Sequence, residues 1–306
     1  MKQSLYEIYL SELGSIPEFL KKYLMVPSML RLKNVCYFCG MDYASKNIYD
    51  FKEAISRYDH SLSVALIVWK YTLDQKATLA GLFHDVATPC FSHVIDYMNK
   101  DYAHQESTEE YTLQVMKRDH VLIEQLEKDG LDMDAIADFK RYSIVDNQRP
   151  KLCADRLDGV ILTGMAWTRS LRKKDIVKII HDLEVYINED NELELGFRNA
   201  DIARLVVETS ELIDIYCHSN EDNYMMELLA KITRMAIENN IITYEELYYL
   251  SEIEFFHRIG CSSSEEILKS LDEFKNVKKE DIPFVALDGV KRRCLNPLVG
   301  GNRFSR

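Results

Sequence analysis

Apolar residues recur at three- and four-residue intervals along almost all of this chain, and only one short stretch alternates in the manner of a strand. A chain patterned this way buries stripes of helix against one another, which points to a mainly helical fold. The clearest segment is 53–73, FKEAISRYDHSLSVALIVWKY, where Ile55, Leu62, Ala65, Leu66 and Trp69 keep helical spacing without Gly or Pro. KATLAGLFHDV from Lys76 predicts the next helix, with Pro89 stopping it and His84 and Asp85 in its last turn. Helices are also predicted over 106–128 and 133–142, parted by Gly130, then from Pro150, over 201–218 and over 222–240. A last one starts near Ser262, where SSSEEILKSL has the Ser-x-x-Glu form of a capping box. VYINEDNELELGF predicts a small hairpin near 184–197, and the Pro-, Gly- and Arg-containing residues 283–306 predict an irregular tail with room for one short strand. The expected fold class is all-α. One domain is expected over 1–306, with a core at about 25–180, a helical continuation at 198–282 and the tail after it.

Composition narrows the setting. At 306 residues and 47% apolar the chain has ample core, and no apolar run reaches the roughly 18 residues that a membrane span requires. MKQSLYEIYLSELG lacks the basic start and apolar stretch of a signal peptide, so a cytoplasmic location is expected. Seven scattered cysteines read as reduced thiols, and the lone Cys36-x-x-Cys39 pair has no second pair to complete a zinc ribbon. A net charge of −12 argues against nonspecific binding to nucleic acid or acidic membrane. It still permits a small phosphorylated substrate held by a bound cation and a few arginines. P-loop and dinucleotide fingerprints are absent, and homo-oligomerisation is left open.

The chemistry concentrates in four residues, His60, His84, Asp85 and Asp155. Two neutral imidazoles and two carboxylates suit one divalent ion, Mn, Fe, Ni, Co or Mg, which polarises a phosphoryl oxygen or lowers the pKa of water. Asp158 follows Asp155 by one helical turn and is open to two readings, steadying a histidine from behind or pairing with a nearby Arg.

The fragments Arg57-x-x-His60-Ser61, His84-Asp85, Pro89-Cys-Phe-Ser-His93 and Asp155-Arg-x-Asp158 together resemble the HD superfamily of phosphohydrolases. Within it they look most like the deoxyguanosine triphosphate triphosphohydrolase branch, as does MLRLKNV from Met29. The likeness covers about 25–165 and, more loosely, 200–240, where Tyr216-Cys217-His218 is similar to a Y-x-H motif near that family's sugar site. It implies an all-α bundle and makes His60, His84, Asp85 and Asp155 the ligands of one divalent metal ion. It further implies a phosphate-side role for His93, with Asp96 as its acidic neighbour, and for His104, and substrate binding by Arg57, Arg156 and Tyr216; proton transfer by the two histidines is the first reading, with ligation of a second metal and helix capping as the others. Three positions depart from the branch: Thr88 replaces a histidine, Gly159 a tyrosine and Thr163 an aspartate. The expectation is a metal-dependent phosphoric ester hydrolase acting on a nucleotide or related ester, with metal-activated water attacking phosphorus. Triphosphohydrolase, 5′-nucleotidase and phosphodiesterase activities are the alternatives among enzymes. The other class is a weakened HD protein that binds nucleotide as a sensor or regulator.

Overall fold

The helix that organises the molecule is buried nearly all round. In the computed structural model, which describes residues 3–100, 111–285 and 291–305, the stretch Arg57–Thr72 has His60 through Val68 buried. It begins later than periodicity suggests, because Ser56 and Asp59 close a capping box and leave 53–55 outside. Counting from the N-terminus, it is α4. Before it come α1 (Leu5–Leu13), α2 (Glu18–Tyr23) and α3 (Pro27–Arg31). A two-residue turn, with Leu73 at positive φ and Asp74 capping the next helix, folds α5 (Gln75–Phe83) back onto α4.

The next described helices are α6 (Val94–Asn99), α7 (Thr112–Arg118), α8 (His120–Asp129) and α9 (Met133–Ala137). The continuous helix expected over 106–128 breaks inside its described part at Asp119, which leaves helical geometry to accept Leu122 N–H and start α8. The one expected over 133–142 ends early, giving way to a 3₁₀ turn at Phe139–Arg141. Pro150 does not start its helix. Residues 150–153 form a loop, and α10 (Ala154–Ala166) follows and packs on α4.

After α11 (Lys173–Asp182) the expected hairpin appears as β1 (Leu183–Ile187) and β2 (Leu193–Phe197), antiparallel with Leu183 opposite Phe197. Then come α12 (Ala200–Cys217), α13 (Asn220–Glu238), α14 (Glu252–Gly260) and α15 (Glu265–Asn276). The capping box expected at Ser262 does not form: the cap position is Ser264, and Ser262 Oγ accepts the Ser264 N–H instead.

The tail is more regular than its composition suggests. β3 (Leu298–Val299) adds in parallel to β2, and β4 (Asn302–Arg303) turns back on it through Gly300-Gly301. Close approach makes this possible: a Cβ on Gly196 would lie 2.6 Å from Leu298 O. Arg303 then bridges Glu189 and the buried Glu194. A hydrophobic cluster reaching from Tyr9 to Phe304 joins the helices to this small sheet. No helix among the described residues is long and apolar enough to cross a membrane.

Candidate metal centre

Three helices meet at one point. His60 stands in the first turns of α4, His84 ends α5, Asp85 opens the turn after it, and Asp155 lies in the first turn of α10. His60 Nε2 is 3.2 Å from His84 Nε2 and 3.1 Å from Asp155 Oδ1, while His84 Nε2 is 3.7 Å from the same oxygen. Asp85 comes from the side, with Oδ2 3.6 Å from His60 Nε2 and Oδ1 3.8 Å from His84 Nε2.

The outer nitrogens decide the inner ones. His84 Nδ1 lies 2.8 Å from the Gly81 carbonyl, which only accepts, so Nδ1 carries the proton. His60 Nδ1 lies 2.7 Å from Asp158 Oδ2, and the other oxygen of Asp158 accepts the Tyr9 hydroxyl at 2.6 Å. Both Nε2 lone pairs therefore converge on Asp155 Oδ1 with no hydrogen-bond donor among the three atoms, an arrangement that calls for a cation. His60, His84 and Asp155 together are a sufficient donor set, and the Asp85 carboxylate adds a fourth donor beside it. The chemistry of these donors fits a borderline or hard divalent ion.

Electrostatics describe the same demand. Burial opposes charge on His60, but hydrogen bonds to Asp155 and Asp158 and the charge of Asp85 outweigh it and raise the pKa to about 10. Burial likewise opposes the Asp155 carboxylate, yet His60 and His84 hold it well below the usual range. Asp85 is lowered too, against burial, by His84 and then by Arg57. Without a metal, the cluster retains a proton in its place.

Neighbouring loops are built to hold this geometry. Arg57 reaches Asp85 Oδ2 at 2.8 Å and Ser92 Oγ at 3.1 Å, with its guanidinium 4.9 Å from the Tyr37 ring centre. Arg31 donates to the carbonyls of Val86 and Thr88, fixing the turn after the His-Asp pair. Phe91 and Ser92 both take positive φ immediately before His93, a strained path that Gly40 accommodates. A Cβ on Gly40, itself at φ +77°, would come within 2.4 Å of the Phe91 ring.

The cluster opens into a cavity of about 1050 Å³, lined on its polar side by Arg57, Thr88, His93, Arg149, Arg156 and Arg293 among others. His93 faces it, with Nδ1 3.0 Å from Asp96 Oδ2. Asp96 itself is buried behind the imidazole and does not line the cavity, so it borders the cavity only through His93. Arg156 lines the cavity but is bound to Asp146, Asn147 and the Lys151 carbonyl. Asp146, Cys153 and Asp155 also lie close together, but Asp146 is neutralised by Arg156 at 3.1 Å.

Tyr216 does not reach the cavity. Its position near the end of α12 turns the ring outward, edge-on to Trp167 at 5.5 Å in a separate shallow pocket, because the cavity side there is taken by Ile213 and Cys217. His104 lies outside the described residues. Beside Gly159, where the triphosphohydrolase branch carries tyrosine, the hydroxyl of Tyr37 stands 3.1 Å from where a Cβ would be. Tyr9, Tyr37 and Arg293 escape a motif reading because each comes from a remote segment, and Arg31 and Arg149 lie close to motifs without carrying a role in them. The signals nearest to two of them are MLRLKNV, which contains Arg31, and the basic triplet ending at Arg293.

Comparison with known proteins agrees with this geometry. The HD domain family matches residues 57–152, spanning His60, His84 and Asp85 and ending just before Asp155. The chain is 24% identical over 257 residues to the uncharacterized protein YdhJ of Bacillus subtilis, covering 80% of this chain and 74% of that one. It is 22% identical over 298 residues to the metal-dependent phosphohydrolase cns2 of Cordyceps militaris, covering 95% and 83%. Neither relative singles out the triphosphohydrolase branch. These findings support an HD domain over residues 57–152 and, in general terms only, the metal-dependent phosphohydrolase chemistry for which one of the two relatives is named.

Proposed function

We propose that the chain hydrolyses a nucleotide or related phosphate ester at the centre formed by His60, His84, Asp85 and Asp155. One observation carries the reading: two imidazole lone pairs and a carboxylate oxygen converge without a donor among them, at the wall of a large cavity rimmed by cations. A divalent ion held there supplies Lewis acidity toward a phosphoryl oxygen and makes water a competent nucleophile near neutral pH. The protein's own part is positioning and charge. Arg57 holds Asp85 in place, and Asp158 holds the His60 ring in the tautomer that directs Nε2 inward. His93, steadied by Asp96, presents an imidazole to the cavity where a proton can be given to a leaving oxygen. Thr88 lines the same wall as a hydroxyl and does not add a second imidazole.

The test pairs elemental analysis of purified protein with a hydrolysis screen over nucleoside mono-, di- and triphosphates and phosphodiesters. Asp85→Ala is expected to lose bound metal and turnover together. Full turnover in that variant, or no hydrolysis by wild-type protein with Mn, Co, Ni or Fe, would overturn the reading.

A further inference from the structure

The two arginines expected to meet phosphate from the sequence are already engaged, Arg57 with Asp85 and Arg156 with Asp146 and Asn147. Two other guanidiniums of the cavity are not. Arg293 enters from the tail, and its Nη1 is buried with no hydrogen-bond partner. Arg149 stands at the cavity rim and makes no hydrogen bond or ion pair with any of the described residues.

These two segments are tied to each other. Asn296 N–H donates to the Pro150 carbonyl at 2.8 Å, joining the tail to the loop that carries Arg149. Arg293 N–H donates to Asp214 Oδ1 at 2.7 Å, and β3 anchors the next residues on β2. The guanidiniums also sense one another. Enclosure chiefly, and after it the like charges of Arg156 and Arg293, lower the pKa of Arg149. A buried guanidinium nitrogen without a hydrogen-bond partner, and a second guanidinium of the same cavity that makes no hydrogen bond to the described residues, together suit an anion. Arg293 is influenced by Cys217, Asp222 and Cys39 on the far side of the cavity, while Arg149 is also influenced by Asp155, so the pair lies between the tail and the metal centre.

We propose that Arg149 and Arg293 form a second anion subsite, which takes a phosphate of the substrate other than the one presented to the metal ligands. The proposal rests on the phosphohydrolase reading and sharpens it: the substrate carries at least two phosphates, and the C-terminal segment is part of its recognition. A cavity of about 1050 Å³ has room for such a molecule.

The experiment uses the full chain as purified and has two arms. In the first, sulfate binding is measured by calorimetry for wild type, Arg149→Gln and Arg293→Gln, with Arg118→Gln as control, Arg118 being an exposed residue of α7 paired to Glu245. Both cavity variants are expected to weaken sulfate binding about tenfold, and the control to match wild type. Loss in only one cavity variant, or in neither, overturns the paired subsite. Arg293→Lys, which keeps the charge, is expected to retain most of the affinity and guards against a folding defect in the glutamine variant. In the second arm, kcat/KM is compared across nucleoside monophosphates, diphosphates, triphosphates and bisphosphates. Wild type is expected to favour a substrate with two or more phosphates, and either glutamine variant to lose that preference through KM. A wild-type preference for monophosphates, or a preference that survives both variants, overturns the proposal. If no phosphate ester is hydrolysed at all, the phosphohydrolase reading fails, while the sulfate arm still decides the subsite.

Discussion

Replacing Asp158 with Asn probes how the metal centre is held together. The carboxylate is fully buried and faces two donors, the Tyr9 hydroxyl at 2.6 Å and His60 Nδ1 at 2.7 Å. Asparagine keeps the shape but brings one acceptor and one NH₂. Whichever way the amide turns, one original donor confronts a donor or His60 must move its proton to Nε2. In stability, one charge-assisted hydrogen bond is lost and the other becomes neutral, a cost of about 2–4 kcal/mol. In binding, an imidazole with its proton on Nε2 cannot ligate, and loss of such an outer partner weakens metal affinity about 10- to 100-fold, or roughly 1.4–2.7 kcal/mol. Urea denaturation with fixed metal and calorimetric Mn titration of Asp158→Asn read the two terms separately. Tyr9→Phe is the control, since it removes one donor and leaves the bond to His60, so it should cost about 1 kcal/mol of stability with metal affinity kept. Wild-type Mn affinity in Asp158→Asn would refute the claim that this carboxylate sets the tautomer of His60.

Two further outcomes follow from groups around the site. Burial raises the Glu252 pKa to about 8, with Asp42 adding to it. Between the ordinary carboxylate range and about 8 the folded chain binds the extra proton, so stability from this group is full at low pH and is lost as pH rises through 8. Glu252→Gln, neutral at every pH, should therefore flatten that fall and raise Tm relative to wild type above pH 8, and an unchanged difference between about pH 5 and 9 would count against it. Gly40→Ala combines a left-handed backbone with a Cβ 2.4 Å from the Phe91 ring, so about 2–4 kcal/mol of stability should be lost, together with activity as the loop carrying His93 shifts. Thermal melts and a kcat measurement check both.

Several features were legible in the chain because they are local or are carried by motifs. Helical periodicity predicts α4, α5, α12 and α13 to within a few residues, except at the start of α4, where the Ser56–Asp59 capping box moves the boundary to Arg57. Alternation predicts the hairpin, and motif order brings His60, His84, Asp85 and Asp155 forward as one set, which the fold gathers from three helices and the turn after α5. Boundaries at Asp119 and Ser264 differ because short-range side-chain hydrogen bonds override periodicity there.

What tertiary structure alone decided lies at long sequence separation. Tyr9 meets Asp158, Arg31 meets the turn after Asp85, Tyr37 stands beside Gly159, and the tail becomes β3 and β4 against β2. No local pattern encodes such pairings, since each depends on which faces of distant helices pack together. The same holds for charge: Arg57 and Arg156 read as substrate arginines from their motifs, but packing commits them to Asp85 and Asp146 and leaves Arg149 and Arg293 uncommitted. The helical class, the hairpin and the candidate ligand set were legible in the chain, because periodicity and residue chemistry are properties of neighbouring residues. Only the packed structure decided which groups orient those ligands, that Tyr216 lies outside the cavity, and which cations remain unpaired within it, because these are properties of three-dimensional proximity.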